Sequence, residues 1–240
     1  MRKILALISI ALLSTGLWAQ LDRSTPPKAG PAPIINIGES HQFTLKNGLK
    51  VIVVEDHKFP LITYSLNLNI DPVDEGNATG YVQLVGDMMR AGTANRTKDQ
   101  IDEEADFIGA TFRPNAKGIY ARSLSRHSST LLSLMTDVLF NPVFPEDELS
   151  KLKIQMEGSI QANKNEPSAI ANNIASALLY GNDPYGAIVT EESLANITVE
   201  HFKQYHDKYF RPNKAYLVIV GDITVKEAKK QAEKYFGKWK

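Results

Sequence analysis

Gln83 and Asp87 stand one helical turn apart in Gly80-Tyr81-Val82-Gln83-Leu84-Val85-Gly86-Asp87-Met88-Met89-Arg90-Ala91-Gly92-Thr93, the spacing of two metal ligands on one helix face. Metal-assisted hydrolysis at zinc needs neutral imidazoles and a carboxylate around the ion, an open position for water, and a carboxylate that takes the water's proton. The inverted motif H-x-x-E-H supplies two imidazoles and that base from a single helix. In the same frame this helix reads Gln83-x-x-Gly86-Asp87. Gln83 brings a weakly ligating amide oxygen, Asp87 one competent oxygen donor, and Gly86 no side chain to accept a proton.

Other clusters read as structure. His201 and His206 are five residues apart, too far round a helix for a clean i, i+4 chelate, and are expected to be solvated or capping side chains. His127 lies beside Ser125, Ser128 and Ser129 without a glycine-framed elbow or an orienting acid, and is expected to open a helix at 128. Asp102, Glu103, Glu104 and Asp106 fit the solvated face of an amphipathic helix, Met88 and Met89 fit core packing, and Asp183-Pro184-Tyr185-Gly186 fits a turn.

The elements that must position these residues follow from periodicity. Gln42 to Glu55 reads as a hairpin turned at Asn47-Gly48, and Leu61 to Ile70 alternates as a half-buried strand. A helical pattern runs from Asn77 to Ala91, and a capping box opens another at Thr97. Strands are expected at 111–113 and 118–124, helices over 128–140, 145–163, 167–180, near Glu191 and over 198–209, then a strand at 215–220 and a helix opened by Thr224. Strands early, helices in the middle and a final strand and helix predict an α+β domain with a mostly antiparallel sheet covered on one face.

The chain has 240 residues, 43% of them apolar, enough for a substantial core. Lys plus Arg and Asp plus Glu both total 27, so no net field draws it to nucleic acid, which is not expected as a partner. There is no cysteine, hence no disulfide and no thiolate metal site. Residues 1–19 read as a signal peptide, with Arg2 and Lys3 before an apolar run and a cut before Gln20. Residues 20–39 read as a proline-rich linker, and the folded domain is expected over 40–240, with no integral membrane segment after cleavage.

Several ordered motifs carry a resemblance: the Phe43-Thr44-Leu45-Lys46-Asn47-Gly48-Leu49 hairpin, the Gly80 to Thr93 helix, Asp183-Pro184-Tyr185-Gly186, and Tyr209-Phe210-Arg211-Pro212-Asn213 leading to Val220-Gly221-Asp222. Over about residues 40–240 the chain resembles the N-terminal α/β-roll domain of the insulinase-like M16 metallopeptidases, related to mitochondrial processing peptidase. The resemblance places the two histidine ligands of active members on Gln83 and Asp87, the glutamate base on Gly86, and the third, glutamate ligand on Ser159, with Glu157 two residues away on another helical face. It therefore implies a degenerate zinc site, with no catalytic residue, no metal ligand and no cofactor of its own, zinc belonging to active relatives.

The function expected from this is a non-catalytic, exported, periplasmic M16-like protein that pairs with a catalytic M16 subunit or second α/β-roll half. It would help to enclose or bind peptide substrate, for instance by strand addition at a sheet edge. Two alternatives stand beside it: a zinc peptidase with displaced ligands such as Asp87, Glu157 or a histidine, and a stand-alone peptide-binding module. Members usually contain paired rolls, so a fragment of a longer protein is one of two readings of the chain, beside a protein that is a single roll.

Overall fold

The Asn47-Gly48 turn joins β1 (Ser40–Thr44) to β2 (Lys50–Glu55), with Gly48 at a φ of 91° where an L side chain is strained. The Asn47 amide also donates to the carbonyls of Phe236 and Trp239 at 2.8 and 3.0 Å, so the hairpin is tied to the end of the last helix. This is a computed structural model, and it describes residues 39–240 together with Gly30. The leader expected at 1–19 lies outside the described residues, as does the linker expected at 20–39 apart from Gly30 and Glu39.

From β3 (Leu61–Leu68) the chain enters α1 (Tyr81–Arg90), α2 (Lys98–Phe107), β4 (Thr111–Asn115), β5 (Gly118–Leu124) and α3 (Ser128–Phe140). The helical block continues as α4 (Glu146–Asn163), α5 (Pro167–Tyr180), α6 (Glu191–Ala195) and α7 (Val199–Tyr209), before β6 (Ala215–Gly221) and α8 (Val225–Phe236). The six strands form one sheet in the order β1-β2-β6-β3-β5-β4, antiparallel except for the β2–β6 pair. The fold is the expected α+β roll.

Alternation sets the register. Tyr64 of β3 lies opposite Ile219 of β6 and Ala121 of β5, and all three are buried. Ile62 and Leu66 share that face with Val51, Val53, Leu217 and Ile119, under α3 on β5 and α8 on β2. Burying each of these side chains contributes about 1.5–3 kcal/mol. The opposite face carries the half-buried Thr63 and Ser65 and the exposed Tyr216. Among the described residues no helix is long and apolar enough to cross a membrane.

Several boundaries differ from expectation: β1 starts at Ser40 instead of Gln42, β3 ends at Leu68 instead of Ile70, and two further differences bear on the site. The helix expected from Asn77 is broken: residues 76–78 form a 3-10 turn, Gly80 takes a φ of 112°, and α1 starts at Tyr81. The Glu75 carboxylate supplies the cap by accepting from the N–H groups of Gly80 and Val82 at 2.9 and 2.8 Å, a long-range cap that no capping-box pattern announces. The strand expected at 111–113 runs on to Asn115 through Pro114, which an edge strand tolerates because the missing N–H needs no ladder partner.

Candidate functional site

Gln83 and Asp87 do share one face of α1, and both are exposed to an open groove of about 970 Å3 walled by α1, α4, α5 and residues 187–191. Ser159 of α4 lines the same groove; Glu157 does not. The Ser159 hydroxyl donates to the Gln155 carbonyl one turn back at 3.1 Å, folded onto its own helix. Three of the four residues that the resemblance singles out thus line one groove.

Gly86 faces the other way. A Cβ added there would lie 2.3 Å from the Pro114 carbonyl oxygen and 2.8 Å from the Asn115 Cα, so α1 rests directly on the backbone of β4. Four residues on, Arg90 Nη1 donates to the Phe112 carbonyl at 2.8 Å while its Nε donates to Asp102 at 2.7 Å. Pro114 has no N–H. The edge of β4 is therefore closed, by a helix packed on it, by an arginine on one carbonyl and by a proline where a donor would stand. Strand addition is not available along this stretch, and β1 is the other edge of the sheet.

The groove itself is apolar with carboxamides. Leu152, Met156 and Ile160 of α4, which also pack on the core, and Ile170, Ile174 and Leu178 of α5 line it, together with Gln83, Gln155, Asn163 and Asn173. None of the residues of α5 is buried, and Leu178 is 81% exposed. At one end Lys164 is ion-paired with Glu191, which also accepts from the Gln161 amide at 2.9 Å.

Comparison with known proteins places this geometry. Residues 73–192 match the family Insulinase (Peptidase family M16), and residues 196–240 match the Peptidase M16 inactive domain. The chain belongs to the M16 family. It is 24% identical over 205 residues to the Uncharacterized zinc protease YmxG of Bacillus subtilis (strain 168), covering 82% of this chain and 50% of that protein. It is 22% identical over 199 residues to the Non-peptidase homolog YmxG of Helicobacter pylori (strain ATCC 700392 / 26695), covering 80% and 46%. The crystal structure of a peptidase M16 inactive domain from Pseudomonas fluorescens superposes with a TM-score of 0.74 at 26% identity, covering 82% of this chain and 50% of that one. The chain spans about half the length of these relatives.

The resemblance to zinc-bearing M16 proteins gives the ligand positions to Gln83, Asp87 and Ser159, so the donors present there can be tested against that ion. Gln83 contributes an amide oxygen, Asp87 a carboxylate and Ser159 a hydroxyl already committed to its helix. The set has no imidazole, and the position that the resemblance gives to the proton acceptor is Gly86, pressed on β4. It does not fit a catalytic zinc, which wants soft nitrogen donors and an adjacent base. Among the described residues no three His, Asp or Glu side chains converge where a metal would be held.

The remaining candidates of this M16 domain are structural, some for reasons other than those read from sequence. His201 caps α7, accepting from the Thr198 N–H at 3.0 Å, and its ring stacks on Tyr81. His206 is not a solvated histidine: its Nε2 bonds the Leu139 carbonyl at 2.8 Å, its ring stacks on Phe210, and burial holds its pKa below the usual value. Helical phase turns it inward, toward α3. Asp102 and Glu104 are not merely a solvated face, since they pair with Arg90 and Arg96. Met88 and Met89 are fully buried, and Asp183 accepts from the Tyr185 N–H in its turn.

His127 precedes α3, and Ser125 donates to Asp222 at 3.1 Å instead of to a histidine. Asp222 in turn holds His57 at 2.8 Å, so the acid sits between hydroxyl and imidazole and the serine has no base. His57 was not singled out by sequence reading because its partner is 165 residues away.

Proposed function

We propose that this chain is a non-catalytic M16 half, exported to the periplasm, that pairs with a zinc-bearing M16 subunit or second half and helps to hold peptide. One observation carries the reading: the position of the proton acceptor is Gly86, and the Pro114 carbonyl fills the space that any side chain there would need. Loss of a ligand alone leaves a site open to repair by neighbours. Here the scaffold has closed around the loss. Gln83, Asp87 and Ser159 still face one groove, which supports a surface kept for binding. The coverage of about half of each relative supports a second half as partner, and the non-peptidase name of the Helicobacter relative accords with the reading. The leader pattern at 1–19 and the linker at 20–39 support export.

Purified protein tests this in two measurements. Its zinc content should be substoichiometric and it should cleave no peptide alone, with cleavage appearing on addition of an M16 partner that carries H-x-x-E-H. One zinc per chain with cleavage lost in Asp87→Ala would establish the displaced-ligand peptidase instead. Peptide binding with no association to any zinc-bearing M16 protein would establish the stand-alone binding module.

A further inference from the structure

We infer that the groove between α1, α4 and α5 holds an extended peptide without acidic side chains, whose backbone is read by side-chain carboxamides instead of by a strand edge. This rests on the peptide-holding reading above and names the surface, the chemistry of recognition and the class of peptide.

The two walls first. On α4 the residues at 152, 156 and 160 and on α5 those at 170, 174 and 178 repeat at one helical turn, and both sets line the groove, the α4 set half-buried against the domain core and the α5 set more exposed. The stripes do not meet. Ile174 remains 55% exposed and Leu178 81% exposed, across a groove of about 970 Å3. An apolar stripe on a helix with no buried residue gains free energy only when something fills the gap. From Pro167 to Tyr180 the sequence has no charged residue, so this wall offers nothing to a charged occupant.

The polar groups then select among apolar occupants. Gln83, Gln155, Asn163 and Asn173 line the groove, all exposed, and none uses its side-chain amide on another described residue. Each carboxamide has one acceptor oxygen and two N–H donors, the complement of a peptide group. An acyl chain would cover these amides without bonding them, at a cost of about 1–3 kcal/mol for each group left unpaired. A helix in the groove would arrive with its own backbone groups satisfied. Only an extended peptide brings unpaired N–H and C=O groups at short intervals beside apolar side chains.

Charge and the sheet edge agree. Lys164 is neutralised by Glu191, and Asp87 is the groove's remaining charge, which disfavours acidic peptides. The β4 edge, which would otherwise read a peptide backbone, is closed by Arg90, Pro114 and the packing of Gly86.

The probe is a coumarin-labelled, N-acetylated, C-amidated octapeptide of Ala, Leu and Ser, followed by fluorescence anisotropy with the full chain. Asn163→Ala with Asn173→Ala should weaken binding by about tenfold or more, and Leu178→Glu by a similar factor. N-methylating alternate backbone nitrogens of the probe, or replacing its Ser by Asp, should each weaken it comparably. Arg90→Ala with Pro114→Val should leave it unchanged. Amide exchange with bound probe should slow in α4 and α5 and not in β4. Leu178 and the two asparagines are exposed, and an unchanged thermal midpoint verifies the fold of each variant.

Equal binding of the N-methylated probe overturns the backbone reading. Neutral groove variants, affinity gained on opening β4, no binding at all, or protection of the groove only by an added M16 half would each overturn the assignment. The pairing reading survives those results if the protein still activates a zinc-bearing partner. Cleavage of the bound probe by the pure chain would sink the non-catalytic reading while leaving the groove assignment in place if the groove variants track affinity.

Discussion

The carbonyl oxygen of Pro114 occupies the space beside Gly86 where a side chain would begin, 2.3 Å from an ideal Cβ. The position that the resemblance gives to the base thus has no room for a side chain. Gly86→Ala should destabilise the domain by about 1–3 kcal/mol through overpacking, and Gly86→Glu by more. The restored triple Gln83→His, Gly86→Glu, Asp87→His should neither bind zinc tightly nor cleave peptide. Urea denaturation reads the first expectation, and zinc titration with a peptide assay reads the second. A stable, zinc-loaded, active triple variant would sink the reading.

Asp137 on α3 is a buried hub. It accepts from Thr93 at 2.7 Å, Asn95 at 2.6 Å and Asn141 at 2.9 Å, and from Arg96 at 2.7 Å, with its side chain only 6% exposed. Burial works to raise its pKa, but these donors outweigh it and hold the carboxyl below the usual carboxylate range. Asp137→Ala should cost about 3–5 kcal/mol, since it strands several donors and the Arg96 charge. A depressed folded pKa stabilises above the unfolded value and the benefit is lost as pH falls through the folded one. Wild type should therefore lose this contribution below about pH 3.9, and the variant should show a flatter acid limb in a urea midpoint against pH series.

How much of this was legible depends on distance along the chain. The Thr97 cap with Gln100, the Asn47-Gly48 turn and the β3 alternation are local, and each stands where its pattern puts it. The facing of Gln83 and Asp87 follows from helical period alone. What sequence could not give is contact outside the local patterns: Glu75 capping α1 from five and seven residues back, and, between distant segments, Asp137 gathering the 93–96 loop and Pro114 arriving under Gly86. A glycine within a helix is a weak signal of close approach, and Pro114 within a strand a weak signal of an edge. Only their juxtaposition makes the site closed.

His57 stands between Asp222 at 2.8 Å and Glu55 at 3.4 Å, on a clasp that also caps α8 through the Val225 N–H and Glu55. Its bonds to Asp222, then to Glu55, raise its pKa above 6.5. A raised folded pKa means that the stabilisation is complete below about pH 6.5 and disappears as pH rises through the folded value. The group is exposed, so the effect should be small and should shrink in high salt. A histidine ring NMR titration should give a raised value that falls toward the free one in Asp222→Asn. A titration midpoint at or below the free value would contradict the clasp.

Arg90 and Pro114 together keep the β4 edge from pairing with another chain. An exposed strand edge invites pairing between copies, and a proline or a covering group is what prevents it. Arg90 Nη1 occupies the Phe112 carbonyl, and Pro114 removes the donor two residues on. Arg90→Ala alone should loosen α2, because Asp102 loses its partner at 2.7 Å, without opening the edge. Pro114→Val alone should restore a donor under a strand still held by Arg90. The double variant should show concentration-dependent association by analytical ultracentrifugation, with amide exchange slowed in β4 as the dimer forms. If the double variant stays monomeric at high concentration, the packing of α1 over Gly86 is a sufficient seal on its own.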